Sequence, residues 1–534
     1  MDSPDSACGS RNKRRIVVVA LICILAVAGL LRAVNIGHDL TYDEAWNVNS
    51  MIDGADGHTG DSFFENFYHH PPAYTGLGIA LGWISGAGRQ SLAVVMEIMS
   101  IAFGLALVLA IYLCGRDWFG ARAGLAAAFV FAVMPSVRTM DSWIKQESMV
   151  LFFCTLFLFF FFRRNFLIGG VFLGLALLTK EPAAFMVAAL VPFVLLFRRP
   201  GMIKGLGISL GLGALMSGWW YVFLSRSGGK FLNFFLGEGG EAYVWRGRWY
   251  YYLGRIPQDL GLLSMLLLAI ALLLLVLRFR ALSQEEGGTG GYSRRDMLVF
   301  LFLWIVVVYL VISISYGKPP WMIYMALAPV ALVSGWGAVE AFRIARERGL
   351  VVSVGVLVLL VSALALTFTI VPGSYSTGAD WYFERARVDK GIADYVNERS
   401  GGDCRVMLYS FDVTPSLMFY LDCYVPESMV AVMGDPAASA ARYLDYSVFL
   451  IFEDQTSAQA IRDIYVLDPD YVLLFDGPWS TVKQVRNAVE TLKICKQLTR
   501  PLAVEGKAVL FDGREIKKAI EREYARIVSG QQGK

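Results

Sequence analysis

Residues 146–181 read QESMVLFFCTLFLFFFFRRNFLIGGVFLGLALLTKE. Two apolar blocks, 146–162 and 165–179, flank the pair Arg163-Arg164, and the second closes on Lys180-Glu181. In a bilayer no water satisfies an open peptide group, so a chain this apolar crosses as helices, each needing about 20 residues and fewer when neighbours shield it. The same pattern recurs on both sides. Eleven apolar segments are expected, at about 16–35, 91–113, 121–137, 146–162, 165–179, 182–197, 203–225, 257–277, 297–315, 321–341 and 350–372.

The composition agrees. Of 534 residues, 56% are hydrophobic and 17% charged, with a mean hydropathy of +0.52. That excludes a disordered chain and an ordinary soluble domain. A net charge of +3 gives no footprint for nucleic acid. Seven cysteines without a CxxC or a paired Cys/His spacing give neither a disulfide scaffold nor a structural zinc site. The block Ile16–Val34 is too long for a signal-peptide core and is expected to stay as the first span.

Sidedness follows from Lys and Arg in the short loops. Alternate loops, beginning with Arg11, Lys13, Arg14 and Arg15, hold 18 basic residues, against ten in the opposite loops up to residue 320. The N-terminal tail (1–15) is therefore expected in the cytoplasm. The bias makes Pro71–Gly86 a re-entrant or surface-lying helix, because a further span there would invert every later loop. The expected organisation is a membrane domain over 16–372, with a first outer loop at 36–90, and a soluble α/β domain over 373–534 outside the membrane. The fold class is thus an α-helical polytopic membrane protein with a C-terminal extracytoplasmic α/β domain.

The first outer loop is unusual. From Ile36 to Gly88 it has no Lys or Arg, seven acids and all four histidines of the chain. Thr41-Tyr42-Asp43-Glu44 opens an amphipathic helix in which Thr41 caps and Glu44 is the capping-box partner. Asp43 is not needed for that cap. A carboxylate held just above a bilayer can take a proton from a hydroxyl or amine nucleophile. His69-His70-Pro71-Pro72 then precedes Ala73-Tyr74; neighbouring histidines suit either a metal or an ordinary loop, and the prolines suit a helix start.

Other polar groups interrupt apolar runs at outer ends: Arg138 with Asp141, Lys145 and Glu147; Lys180 with Glu181; and Lys318 in Tyr316-Gly317-Lys318-Pro319-Pro320-Trp321. Each has a bland reading as a snorkelling side chain or a local ion pair, such as Lys180 with Glu181. Together they suit a phosphate pocket, with Arg as a bidentate clamp and Lys as a point charge. Trp245-Arg246-Gly247-Arg248-Trp249-Tyr250-Tyr251-Tyr252 suits an interfacial belt, sugar stacking or headgroup contact equally.

In this order and loop placement, Asp43-Glu44, His70-Pro71-Pro72 with Tyr74, Arg138, Gly174-Leu175 through Thr179-Lys180-Glu181, Trp249–Tyr252 and Lys318-Pro319-Pro320-Trp321 make a pattern. It resembles the GT-C membrane glycosyltransferases, especially the protein O-mannosyltransferase-like superfamily (glycosyltransferase family 39). Within that superfamily it is most similar to the prokaryotic, largely archaeal, flippase-activity-associated group. The resemblance covers about residues 16–345. It implies a multi-span fold with surface helices in the first outer loop, and a sugar donor on a polyprenyl or dolichyl phosphate. It implies a catalytic acid at Asp43 with Glu44 as neighbour or alternative, and a donor phosphate held by Arg138, Lys180 and Lys318. His69, His70, Tyr74, Trp245, Arg246 and Tyr250 are the expected acceptor or sugar contacts. His70 departs from the acid or Lys that often precedes the first proline in related transferases. No metal ligands are assigned, although a divalent metal is compatible.

The expected reaction is a single inverting displacement on the non-cytoplasmic face of the plasma membrane, possible without a nucleotide fold or a second catalytic carboxylate. The competing functions are a lipid-linked sugar flippase and a non-catalytic scaffold for glycan assembly. A transporter, however, would place charges near the midplane of repeated halves, and neither feature is visible. In residues 373–534, the segments Arg405–Tyr409, Val448–Phe452, Tyr471–Phe475 and Ala508–Phe511 read as strands. Stretches near 387–398, 481–493 and 515–528 read as helices. With 19 basic and 23 acidic residues this part is no nucleic-acid binder; acceptor recognition or partner docking is its expected work. Cys404 and Cys423 can pair if the domain lies outside.

Overall fold

The computed structural model describes residues 4–56, 70–226, 247–284, 291–315, 317–369, 380–400, 404–409, 419–421, 429–432, 448–451, 464–465, 467, 469–475, 491–505 and 508–531. The chain divides into two compact units: residues 1–38 with 59–375, and residues 39–58 with 376–534. The start of the first outer loop groups with the C-terminal unit, whereas the sequence reading kept all of 36–90 in the membrane domain.

The first unit is helical. Among the described residues six helices are long and apolar enough to cross a membrane: Arg14–Ala33, Arg89–Phe119, Tyr251–Gln284, Arg294–Ile314, Pro320–Arg348 and Leu350–Thr369. Four shorter apolar helices, Ala121–Val133, Glu147–Phe162, Phe166–Thr179 and Ala183–Leu196, fall on expected segments. The segment 203–225 lies on the 25-residue helix Met202–Arg226. Helices 89–119, 121–133 and 327–348 pack together, as do 147–162, 166–179 and 202–226. Small residues make the close approaches, as they do where apolar attraction between helices is absent. A Cβ on Gly335 would come 2.5 Å from the Ala127 nitrogen, and one on Gly124 would come 2.6 Å from the Tyr112 carbonyl.

Two breaks depart from the expected boundaries. The segment read as 121–137 stops at Val133, since Met134 is extended (ψ 134°) ahead of Pro135, and a short helix, Pro135–Met140, restarts there. Proline disfavours a helical residue before it and suits a first helical position. The helix Tyr251–Gln284 is interrupted at Gly261, with φ 73° and ψ 162°. Only glycine takes that conformation without strain, and a Cβ would also meet Pro135 Cδ at 3.1 Å. The segment expected to be re-entrant or surface-lying forms a 14-residue helix, Pro72–Ser85, with proline in its first turn and Gly86 left-handed at its end.

The second unit carries a six-stranded sheet of β1 (Val406–Tyr409), β2 (Met429–Val432), β3 (Val448–Ile451), β4 (Tyr471–Phe475), β5 (Ala503–Glu505) and β6 (Ala508–Asp512). The order is β2-β3-β1-β4-β6-β5, parallel across the first four and antiparallel at β4–β6 and β6–β5. Helix Asp380–Ser400 supplies Val388, Ile392, Ala393 and Val396 to a core with Cys404, Val406, Leu421, Leu473 and Leu510. A second core joins Ile464, Val472, Leu474, Leu492, Val509, Phe511 and Ile516 of helix Gly513–Gln531. Cys404 is in a disulfide; its expected partner Cys423 lies outside the described residues. Cys495 is free and buried.

Candidate active site

In the first unit the break at Pro135 positions Arg138. Ser136 Oγ donates to Asp259 Oδ1 at 2.8 Å, and Arg255 Nη2 donates to the same oxygen at 3.1 Å, so the short helix is clamped to the segment before Gly261. Arg138 is buried, with its guanidinium 4.9 Å from the Phe368 ring centroid. Among the described residues its Nε and Nη2 have no hydrogen-bond partner. A buried, unpaired guanidinium fork costs free energy unless an anion meets it, and its geometry matches two oxygens of a phosphate.

Asp141, three residues on, is already engaged. Arg32 donates to Asp141 Oδ2 through Nε at 2.8 Å and lies 2.7 Å away through Nη2, both side chains being fully buried. The Tyr324 hydroxyl donates to the other carboxylate oxygen. This network was not read from sequence; the only signal was a lone Arg at the C-terminal end of the first apolar block. Nearby, Gly37 N donates to Glu97 Oε2 at 2.8 Å and His38 Nδ1 lies 3.1 Å from Glu97 Oε1. Glu97, a lone acid within a span, was also missed.

The break at Thr179–Pro182 brings Lys180 onto Glu147. Lys180 leaves the helix extended (φ −161°, ψ 143°), and its Nζ donates to Glu147 Oε1 at 2.5 Å. The local partner expected, Glu181, instead lies 3.9 Å from His70 Nδ1 through Oε2. Glu147 Oε2 and Glu181 Oε1 have no hydrogen-bond partner among the described residues. Lys145 Nζ sits 3.2 Å from the Trp321 ring centroid, a cation–π contact.

Lys318 points back at the helix it follows. Its Nζ donates to the carbonyls of Ile312 (3.4 Å), Ser313 (2.8 Å) and Ser315 (2.6 Å). Those are orphan acceptors at a helix C-terminus, where a cation is favoured. Burial lowers the Lys318 ammonium below its ordinary range. Tyr252 donates to Pro319 O at 2.8 Å and fixes the same turn. As placed, Lys318 caps a helix with all three donors.

Among the expected sugar or acceptor contacts, Tyr74 is wholly buried, its hydroxyl 3.1 Å from Ser100 Oγ. The helix 72–85 turns that face onto helix 89–119, so Tyr74 presents nothing to a surface ligand. Tyr250 is 41% exposed and accepts from Arg248 Nη1 at 2.5 Å beside the exposed Trp249. His70 is half-buried. His69, Trp245 and Arg246 lie outside the described residues. Among those described, no group of three or more His, Cys, Asp or Glu could hold a metal ion.

In the second unit, helix Tyr42–Ala55 carries Asp43 and Glu44. Thr41 N and Thr41 Oγ1 donate to Glu44 Oε2 at 3.0 and 2.7 Å, closing the expected capping box. Glu44 is fully buried, whereas Asp43 is half-buried. The pair thus differs in burial, with Glu44 engaged in the cap and Asp43 half-buried.

Residues 78–219 match the family model described as dolichyl-phosphate-mannose-protein mannosyltransferase. An undecaprenyl phosphate-alpha-4-amino-4-deoxy-L-arabinose arabinosyl transferase of Pseudomonas aeruginosa is 28% identical over 290 residues, 50% of each chain. The chain thus matches about half the length of such curated relatives. The crystal structure of ArnT from Cupriavidus metallidurans in the apo state overlays with a TM-score of 0.61 at 15% identity, over 94% of this chain and 98% of that one. ArnT bound to undecaprenyl phosphate gives 0.59 at 14%, covering 93% and 98%. The oligosaccharyltransferase of Archaeoglobus fulgidus gives 0.54 at 13%, covering 87% and 70%. The protein is a multi-pass membrane protein with the GT-C fold. The family model, the sequence relatives and the fold all support the resemblance to the GT-C glycosyltransferases of the protein O-mannosyltransferase-like superfamily. These matches do not bear on the narrower likeness to the flippase-activity-associated group.

Proposed function

We propose that the protein is an integral membrane glycosyltransferase. It moves a sugar from a polyprenyl- or dolichyl-phosphate carrier to a protein, lipid or glycan acceptor on the non-cytoplasmic face. The observation that carries this reading is Arg138, a buried guanidinium with two nitrogens unpartnered among the described residues. The relatives' names support the donor class, since they specify an undecaprenyl phosphate sugar.

The reaction is one inverting displacement. The acceptor hydroxyl or amine attacks the anomeric carbon, and its proton passes to the Asp43 carboxylate. The bond from the anomeric carbon to the phosphate oxygen breaks, and the carrier phosphate leaves as an anion against Arg138. Lys180, already neutralised by Glu147, and Lys318, turned onto backbone carbonyls, contribute less. The half-exposed Tyr250 and Trp249 offer faces for a sugar or a headgroup. The basic-loop bias and the disulfide at Cys404 support a C-terminal domain outside the cytoplasm, since disulfides persist in oxidising compartments.

The test is transfer by purified protein in lipid, from a panel of radiolabelled polyprenyl-phosphate sugars to a membrane extract of the host. The panel includes mannose and an amino-pentose. Wild type, Asp43→Asn and Arg138→Ala run with and without EDTA. Label transfer by wild type alone supports the reading, and the EDTA arm decides whether a divalent metal is needed. No transfer from any donor by folded protein would turn the assignment toward a flippase or a scaffold.

A further inference from the structure

The helix that bears Asp43 belongs to the same compact unit as the C-terminal domain. The link between them is specific. Leu40 N, two residues before the helix begins, donates to Tyr420 Oη at 2.9 Å. Tyr420 is itself anchored. Its ring packs on the core formed by Val388, Ile392, Cys404 and Leu421. Its carbonyl accepts from Asn397 Nδ2 at 2.7 Å. The Lys390 ammonium, paired with Asp394 at 2.6 Å, lies 5.7 Å from the ring centroid. The next residue after Leu40 is Thr41, the helix cap, and Glu44 closes the capping box on it. Asp43 lies between those two anchors. A fixed point thus runs from the soluble core through one phenol oxygen to the residue before the cap.

We propose that Tyr420 is a positioning residue for Asp43, so that the C-terminal domain sets the aim of the catalytic carboxylate. This rests on the reading of Asp43 as the base that receives the acceptor's proton. A base must stand within hydrogen-bond reach of the proton it takes, and small displacements of such a group cost rate steeply. Burial pushes the Tyr420 phenol up, more than the Leu40 N–H bond to it pulls it down, and the carboxylates of Asp39, Glu44 and Asp394 add to the rise. The group therefore stays neutral and holds Leu40 through the working pH range. Loss of the oxygen would leave Leu40 N without its acceptor and free the start of the helix. The donor phosphate site, in the other unit, would be untouched.

The experiment uses the full chain in lipid, with Tyr420→Phe, Asp43→Asn and Tyr395→Phe beside wild type. Tyr395 packs on the same core and controls for ring packing. Two readouts are taken: amide hydrogen exchange over residues 38–45, and kcat and KM for the most active donor of the transfer panel. Tyr420→Phe is expected to exchange about tenfold faster at Leu40 and to lose about tenfold in kcat, with donor KM unchanged. Tyr395→Phe should match wild type in both. Unchanged exchange in Tyr420→Phe would overturn the anchoring bond. Faster exchange with unchanged kcat, while Asp43→Asn is inactive, would overturn the positioning role. Full activity of Asp43→Asn would overturn the role by removing Asp43 as the base, and the exchange readout would still decide the bond separately.

Discussion

Lys180 and Glu147, thirty-three positions apart, meet at 2.5 Å with both side chains less than a tenth exposed. This pair ties the break after helix 166–179 to the first residue of helix 147–162. Truncating one partner strands a buried charge, which costs about 3–5 kcal/mol. Lys180→Ala should therefore lower the thermal midpoint in detergent sharply. The double variant Lys180→Met with Glu147→Leu should recover most of the loss. Equal midpoints for single and double variants would show that the ion pair holds nothing.

Arg138 differs from the lysines because its fork can grip two phosphate oxygens. Arg138→Ala is expected to raise donor KM about a hundredfold, and Arg138→Lys should restore little of it, since a point charge cannot reproduce the fork. Donor titrations of the transfer rate check this. A Lys variant with wild-type KM would leave charge alone as the requirement.

Asp43 and Glu44 should separate cleanly. Asp43→Asn is expected to lose between about 10² and 10⁴ in kcat, the range for a positioned base. Glu44→Gln keeps a capping-box acceptor and should keep activity, and Glu44→Ala should cost about 1 kcal/mol of stability. The measurements are initial rates and thermal melts on the same preparations. A rate loss in Glu44→Gln as large as that in Asp43→Asn would reverse the two roles.

Lys318 caps the helix 294–314 with its three donors. Lys318→Met should lower stability by about 1 kcal/mol and leave donor KM within twofold. A donor KM that rises as far as in Arg138→Ala would return Lys318 to the phosphate.

The disulfide at Cys404 lies in the core beneath helix 380–400. Reduction should destabilise the C-terminal unit by about 2–4 kcal/mol. Proteolysis with and without reductant would register this as faster cleavage after residue 375. Identical cleavage patterns would mean the bridge bears no load.

Much of this molecule is legible in its residues. The apolar blocks lie on helices, because a chain in a bilayer has few ways to satisfy its backbone. The Thr41–Glu44 cap was readable because capping is local. The long-range choices were not. Lys180 passes over its neighbour Glu181 for Glu147, and Asp141 is claimed by Arg32 and Tyr324; both depend on which helix ends meet. Strand β5, of three residues, is too short for a pattern to show, and β2, although as long as β1 and β3, was not picked out. The grouping of residues 39–58 with a domain more than three hundred positions later rests on contacts such as Leu40 to Tyr420, 380 positions apart, which no local signal encodes.

The Arg32–Asp141 tie also bears on how the protein is made. Arg32 is synthesised 109 residues before its partner. The first helix therefore carries a cation near its C-terminal end before the carboxylate that pairs with it exists. Until Asp141 has followed, that guanidinium depends on water or anionic headgroups for its solvation. A chain cut short before residue 141 would keep the packing of this helix on helices 89–119 and 121–133 but lose its ion pair.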